Sequence, residues 1–149
     1  MLEIANSLPG SSHVPARGEA HVQAILRVVA VFGADADHFV FVGGCVLGLY
    51  ARSIGAPLRV TTDVDCISTV KPWIVQEHRL AELCTRGVLV PDPSIQCRYR
   101  IVGTEIDMDI MSPDGFNVGG VNPWFRRAAE RAAEYRFGPV VVRAVTPPY

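Results

Sequence analysis

Lysine is all but missing from this chain of 149 residues: Lys71 stands alone beside 13 arginines. A P-loop requires a Gly-Lys-Ser/Thr run and a protein kinase a strand lysine, and Val70-Lys71-Pro72 fits neither. There is no surplus of charge. The 14 basic and 15 acidic residues leave a net −1, which rules out a strongly basic nucleic-acid glove. The four cysteines, Cys45, Cys66, Cys84 and Cys97, contain no Cys-x-x-Cys pair, so reduced and mostly buried thiols are expected rather than zinc ligands. No apolar run is long enough to span a membrane. The longest, residues 39–51, is broken by glycines and falls short of the about 20 residues a span needs. With no secretory leader pattern at the start, a soluble cytoplasmic protein is expected.

What is present suits one folded domain. A hydrophobic fraction of 49% is enough for a core, and a chain of this size buries roughly 70% of its unfolded surface. The basic set being almost all arginine favours bidentate contact with phosphate. Residues 1–18, with Pro9, Gly10, Pro15 and Gly18 and no apolar period, read as a flexible arm, leaving 19–149 as the domain.

Apolar residues at helical spacing predict a helix over 19–34, broken by Gly33 and the polar Asp35-Ala36-Asp37. Phe39-Val40-Phe41-Val42 predicts a strand running into Gly43-Gly44, and a helix is expected over 45–53. A second strand is expected over 61–68, a helix over 75–86, and a hairpin of strands 95–102 and 104–111 joined at Gly103. Asn122 with Pro123 predicts a helix running to Gly138, followed by a last strand over 140–145. Helices and strands alternate apart from one antiparallel pair, which gives an α/β domain with a mixed β-sheet flanked by helices.

Three features carry chemistry. Gly43-Gly44 at a strand-to-helix turn lets backbone approach a phosphate, or simply allows a tight turn; the residues leave both open. Asp63-Val64-Asp65 places two carboxylates on one face of a strand, which suits Mg²⁺ or Mn²⁺ unless the pair merely faces solvent. Asp107-Met108-Asp109 repeats that alternation, so pairing with the Asp63 strand would gather up to four carboxylates. Three carboxylates around two divalent ions form an apparatus for in-line attack on a phosphoryl group.

These motifs in this order resemble the nucleotidyltransferase fold of the DNA polymerase beta superfamily, and within it the bacterial AbiEii/AbiGii-type toxin-like nucleotidyltransferases. The similarity covers about residues 38–149 and includes Cys97-Arg98-Tyr99-Arg100-Ile101 ahead of the acidic strand. The resemblance implies that Gly43, Gly44 and Thr62 meet the nucleotide. It implies that Asp63, Asp65 and Asp109 bind Mg²⁺ or Mn²⁺ and carry catalysis. Asp109 is preferred to Asp107 because Ile110-Met111 follows it directly. The implied activity moves a nucleoside monophosphate from a nucleoside triphosphate to an acceptor hydroxyl on RNA, such as a tRNA end, or on protein. The implied partner is an antitoxin. Members usually continue into a lysine-bearing helical segment, so a domain ending at Tyr149 is expected to do without it. The rival expectations are a catalytically inactive nucleotide-binding or interaction module of the same fold, and a metal-dependent phosphohydrolase.

Other residues are ambiguous. Arg98 and Arg100 share a strand face and either meet phosphate or pair with the acids; Arg52 and Arg59 flank an insertion over 54–59. Trp124 reads as a core anchor rather than a base-stacking platform. Arg126, Arg127, Glu130, Arg131 and Glu134 read as a solvated helix face. His13, His21, His38 and His78 form no triad with any Ser or Cys.

Overall fold

The computed structural model describes residues 2–3, 17–49, 62–115 and 122–146. The expectations for Arg52, Arg59, the insertion over 54–59 and most of the arm lie outside these residues.

The first helix, α1 (Arg17–Phe32), buries Ile25, Val28 and Phe32, spaced three and four apart, on one stripe. Gly33, with φ +57°, ends it, and a 3-10 turn over Gly33–His38 leads into strand β2 (Phe39–Val42). Phe32 meets Phe39 edge-on at 4.8 Å, and Phe39 meets Phe41 at 6.5 Å, which fixes α1 over this strand. Helix α2 (Trp73–Thr85) closes with a Schellman cap: Val88 N–H donates to Leu83 O and Gly87 N–H to Cys84 O, with Gly87 at φ +73°. Helix α3 (Pro123–Glu130) begins where the Asn122 carboxamide oxygen accepts from the Trp124 N–H at 3.0 Å.

The remaining strands are β1 (Leu2–Glu3), β3 (Asp63–Ser68), β4 (Leu89–Pro91), β5 (Arg98–Ile101), β6 (Asp107–Met111), β7 (Ala133–Phe137) and β8 (Val140–Ala144). Together they make one sheet of eight strands in the order β1-β7-β8-β2-β3-β6-β5-β4. The sheet is mixed, as expected, but four of its pairings are antiparallel (β2–β3, β4–β5, β5–β6, β7–β8) where the sequence pointed to one.

Two expectations at the C-terminal end are corrected. The helix from Asn122 stops at Glu130, and 133–137 is strand β7, turning back at Gly138-Pro139 into β8. The physical reason is a period of two: Tyr135 is buried while Glu134 and Arg136 are exposed. Gly138, at φ +58°, suits the first central position of a two-residue hairpin turn. Glu134 therefore leaves the expected helix face. Trp124 is 59% exposed rather than a core anchor, because helix α3 buries Ala128 instead. Within the expected arm, Leu2–Glu3 pairs in parallel with Tyr135–Arg136.

Residues alternate between two faces of the sheet. One face carries Phe39, Phe41, Cys66, Ser68, Met108 and Ile110, all buried, under α1 and α2. Across it the Ser68 hydroxyl donates to the Gln76 side-chain oxygen at 2.6 Å, both residues buried, and Arg79 on α2 meets Asp35 at 2.6 Å. The opposite face carries the acids. Helix α3 is tied to β8 on that side by Arg143, which donates to Ala129 O at 3.0 Å. No described helix is long and apolar enough to cross a membrane.

Candidate functional site

Strands β3 and β6 lie side by side and parallel, with Asp63 opposite Asp107 and Asp65 opposite Asp109. Neighbouring strands are about 4.8 Å apart, so all four carboxylates leave one face within a small patch. Strand β5 continues both rungs, with Arg98 opposite Asp109 and Arg100 opposite Asp107. On the other side Val42, the last residue of β2, lies opposite Asp65. One rung therefore reads Val42, Asp65, Asp109, Arg98, and the next reads Asp63, Asp107, Arg100.

The arginines answer the question the sequence left open. Arg98 donates through Nε and Nη2 to the two oxygens of Asp109 at 2.8 and 3.0 Å. Arg100 grips Asp107 in the same two-pronged way at 2.8 Å for both bonds. Hydrogen bonding by Arg100 holds the Asp107 carboxyl below its ordinary range, and the Asp109 hydrogen bond raises the Arg98 guanidinium in turn. Four carboxylates against two guanidinium groups give these six side chains a formal sum of −2.

Asp65 bears the strain of that excess. Burial first, and then the neighbouring Asp109 and Asp63, push its carboxyl up to about 6, with Arg98 opposing them only in part. Its seat is made by Gly43. That residue has φ +74°, and a Cβ there would collide with the Asp65 carboxylate. Gly43 thus turns the chain at the end of β2 and leaves room for the acid from β3. The sequence pattern offered a turn or a phosphate cradle; it held no signal for a glycine fitted to an aspartate 22 positions on.

Beyond Gly43 the chain makes a 3-10 turn, Gly44–Val46, in which Val46 N–H donates to Gly43 O at 3.2 Å. The helix expected over 45–53 is described as helical turns only through residue 49. Gly43, Gly44, Thr62 and Asp63 are all exposed, at the same end of β2 and β3. Cys45 and Cys66 are buried and Cys84 and Cys97 half-buried; all four are free thiols. Burial lifts the Cys45 thiol to about 12, and it donates to Val42 O at 3.3 Å, so it acts as core and not as a nucleophile.

Asp63, Asp65 and Asp109 thus share a face on adjacent rungs, but among the described residues no three His, Cys, Asp or Glu side chains already converge on one point as an ion cage. The donor set nevertheless suits a hard divalent cation. It is all carboxylate, it is net negative, and Asp65 is held in a partly desolvated seat beside two like charges. What keeps Asp109 from that set is its engagement with Arg98 on the strand away from β3. Comparison with family models, curated proteins and solved structures finds no match to this chain.

Proposed function

We propose that the chain is a metal-dependent nucleotidyltransferase with a nucleotidyltransferase-like sheet, transferring a nucleoside monophosphate from a nucleoside triphosphate to an acceptor hydroxyl. The observation that carries this reading is the pairing of Asp63-x-Asp65 with Asp107-x-Asp109 in register, beside the exposed Gly43-Gly44 turn. Asp63 and Asp65, joined by Asp109, would hold Mg²⁺ or Mn²⁺. Such ions, when bound, acidify the attacking hydroxyl and neutralise the leaving pyrophosphate.

The chain's own residues supply the rest. The backbone at Gly43 and Gly44, with the Thr62 hydroxyl nearby in the chain, would receive the polyphosphate at the open end of β2 and β3. The acceptor oxygen bonds to the α-phosphorus as the bond to pyrophosphate breaks, and the hydroxyl proton leaves to solvent or a carboxylate. The resemblance noted above supports an acceptor on RNA, such as a tRNA end, or on protein, and an antitoxin as binding partner.

The two-pronged hold of Arg98 on Asp109 favours a second reading, a nucleotide-binding module of the same fold without catalysis. One assay separates the two. The protein is incubated with each α-labelled nucleoside triphosphate, Mg²⁺ and total RNA or protein, beside Asp63→Ala. Label moved to an acceptor, and lost in the variant, is the expected result. Triphosphate bound without transfer gives the second reading, and phosphate released without an acceptor gives a phosphohydrolase.

A further inference from the structure

We propose that Arg98 is a positioning residue: it stands in for a cation on Asp109 in the metal-free protein and exchanges that carboxylate for phosphate when nucleotide and ion arrive. The inference rests on the reading above and adds to it a device that couples the two ligands.

If Asp109 is to join Asp63 and Asp65 around divalent ions, its two oxygens must leave the two donors of Arg98. The exchange concerns Asp109 alone among the three proposed ligands in one respect: both of its oxygens are taken by a single guanidinium. The guanidinium that is released cannot stay unpaired beside its half-buried neighbours without cost. Two oxygens of one phosphate group offer the guanidinium fork the same two-point acceptor that the carboxylate did. Arg98 sits on the rung of Asp65, where the reacting phosphates would lie, and its side chain is 26% exposed against 17% for Asp109. Arg100 does not share this position. Its side chain is 55% exposed, and its partner Asp107 lies on the outer rung.

Two consequences follow from linkage. Arg98 competes with metal for Asp109, so removing it should tighten metal binding. Phosphate that captures Arg98 should do the same, and by reciprocity metal should tighten phosphate binding by an equal factor. A merely structural arginine would instead weaken metal binding when removed, by letting Asp109 drift.

The test uses the full chain, Mn²⁺ followed by electron paramagnetic resonance, and inorganic tripolyphosphate as the probe, with every affinity referred to the free Mn²⁺ fixed by protein-free controls at the same tripolyphosphate concentration, since tripolyphosphate itself chelates Mn²⁺. In the wild type, saturating tripolyphosphate should tighten Mn²⁺ binding about tenfold, the worth of one charge-assisted contact. Arg98→Gln should bind Mn²⁺ alone about tenfold tighter than wild type and show little further gain from tripolyphosphate. Arg98→Lys, which keeps the charge without the fork, should fall between them. Arg100→Gln should shift Mn²⁺ binding by less than about threefold, because it frees only Asp107. Circular dichroism on each variant shows that it is folded. If folded Arg98→Gln binds Mn²⁺ no tighter than wild type, the inference is overturned. If Asp65→Asn leaves Mn²⁺ binding unchanged, the underlying metal reading fails instead, so the two failures are distinct.

Discussion

The carboxylate of Asp65 occupies the place where residue 43 would carry a Cβ, so Gly43 and Asp65 are fitted to one another across two strands. The left-handed φ of +74° adds an independent demand for glycine at that turn. One residue therefore both turns the chain and seats the most perturbed acid in the patch.

Gly43→Ala should cost about 1–3 kcal/mol, from backbone strain plus the collision with Asp65. Chemical denaturation measures the loss, and Mn²⁺ titration of the folded fraction should show weakened binding as the acid is pushed aside. Gly87→Ala is the control. It carries the same positive φ, +73°, but a Cβ there meets nothing within 4 Å, so it should cost the backbone part alone and leave Mn²⁺ binding unchanged.

A pH series isolates Asp65. Its folded pKa of about 6 lies above the ordinary 3.8, so between those values the native state binds more protons than the unfolded one. Stability from this group therefore falls as pH rises from 3.8 to 6 and is level above. Asp107 has the opposite sign: its lowered carboxyl stabilises the fold and loses that contribution below 3.8, outside this window. Asp65→Asn should accordingly stabilise the metal-free protein, with the gain growing from pH 4 to 6 and reaching about 1–2 kcal/mol once solvent screening is discounted. A gain that does not vary with pH would contradict the origin assigned to the shift.

The buried hydrogen bond between Ser68 and Gln76 locks α2 to the sheet beneath the acids. Ser68→Ala leaves the Gln76 oxygen buried without its donor and should cost about 1–3 kcal/mol in urea denaturation. Adding Gln76→Leu should recover most of the loss, since replacing both partners removes the unmet acceptor. A double variant no more stable than Ser68→Ala would show that packing, not the hydrogen bond, sets the cost.

Local patterns were enough to place the central strands and the acids on them. Phe39–Val42 is apolar throughout and becomes an interior strand, and the alternation of Asp63, Asp65, Asp107 and Asp109 with apolar neighbours puts each pair on one face. Those properties depend only on a period of two along the chain. The segment 133–137 misled because charges spaced for a helix outweighed a five-residue alternation whose partner, β8, decides the outcome. Of the strand pairings, only the hairpin of β5 and β6 was legible, because its partners are neighbours in the chain; pairings such as β3 with β6 join residues far apart in sequence. It took the folded sheet to set Asp65 against Asp109, to give Asp109 to Arg98, and to seat Asp65 at Gly43, because each of these is a contact between strands and not a period within one.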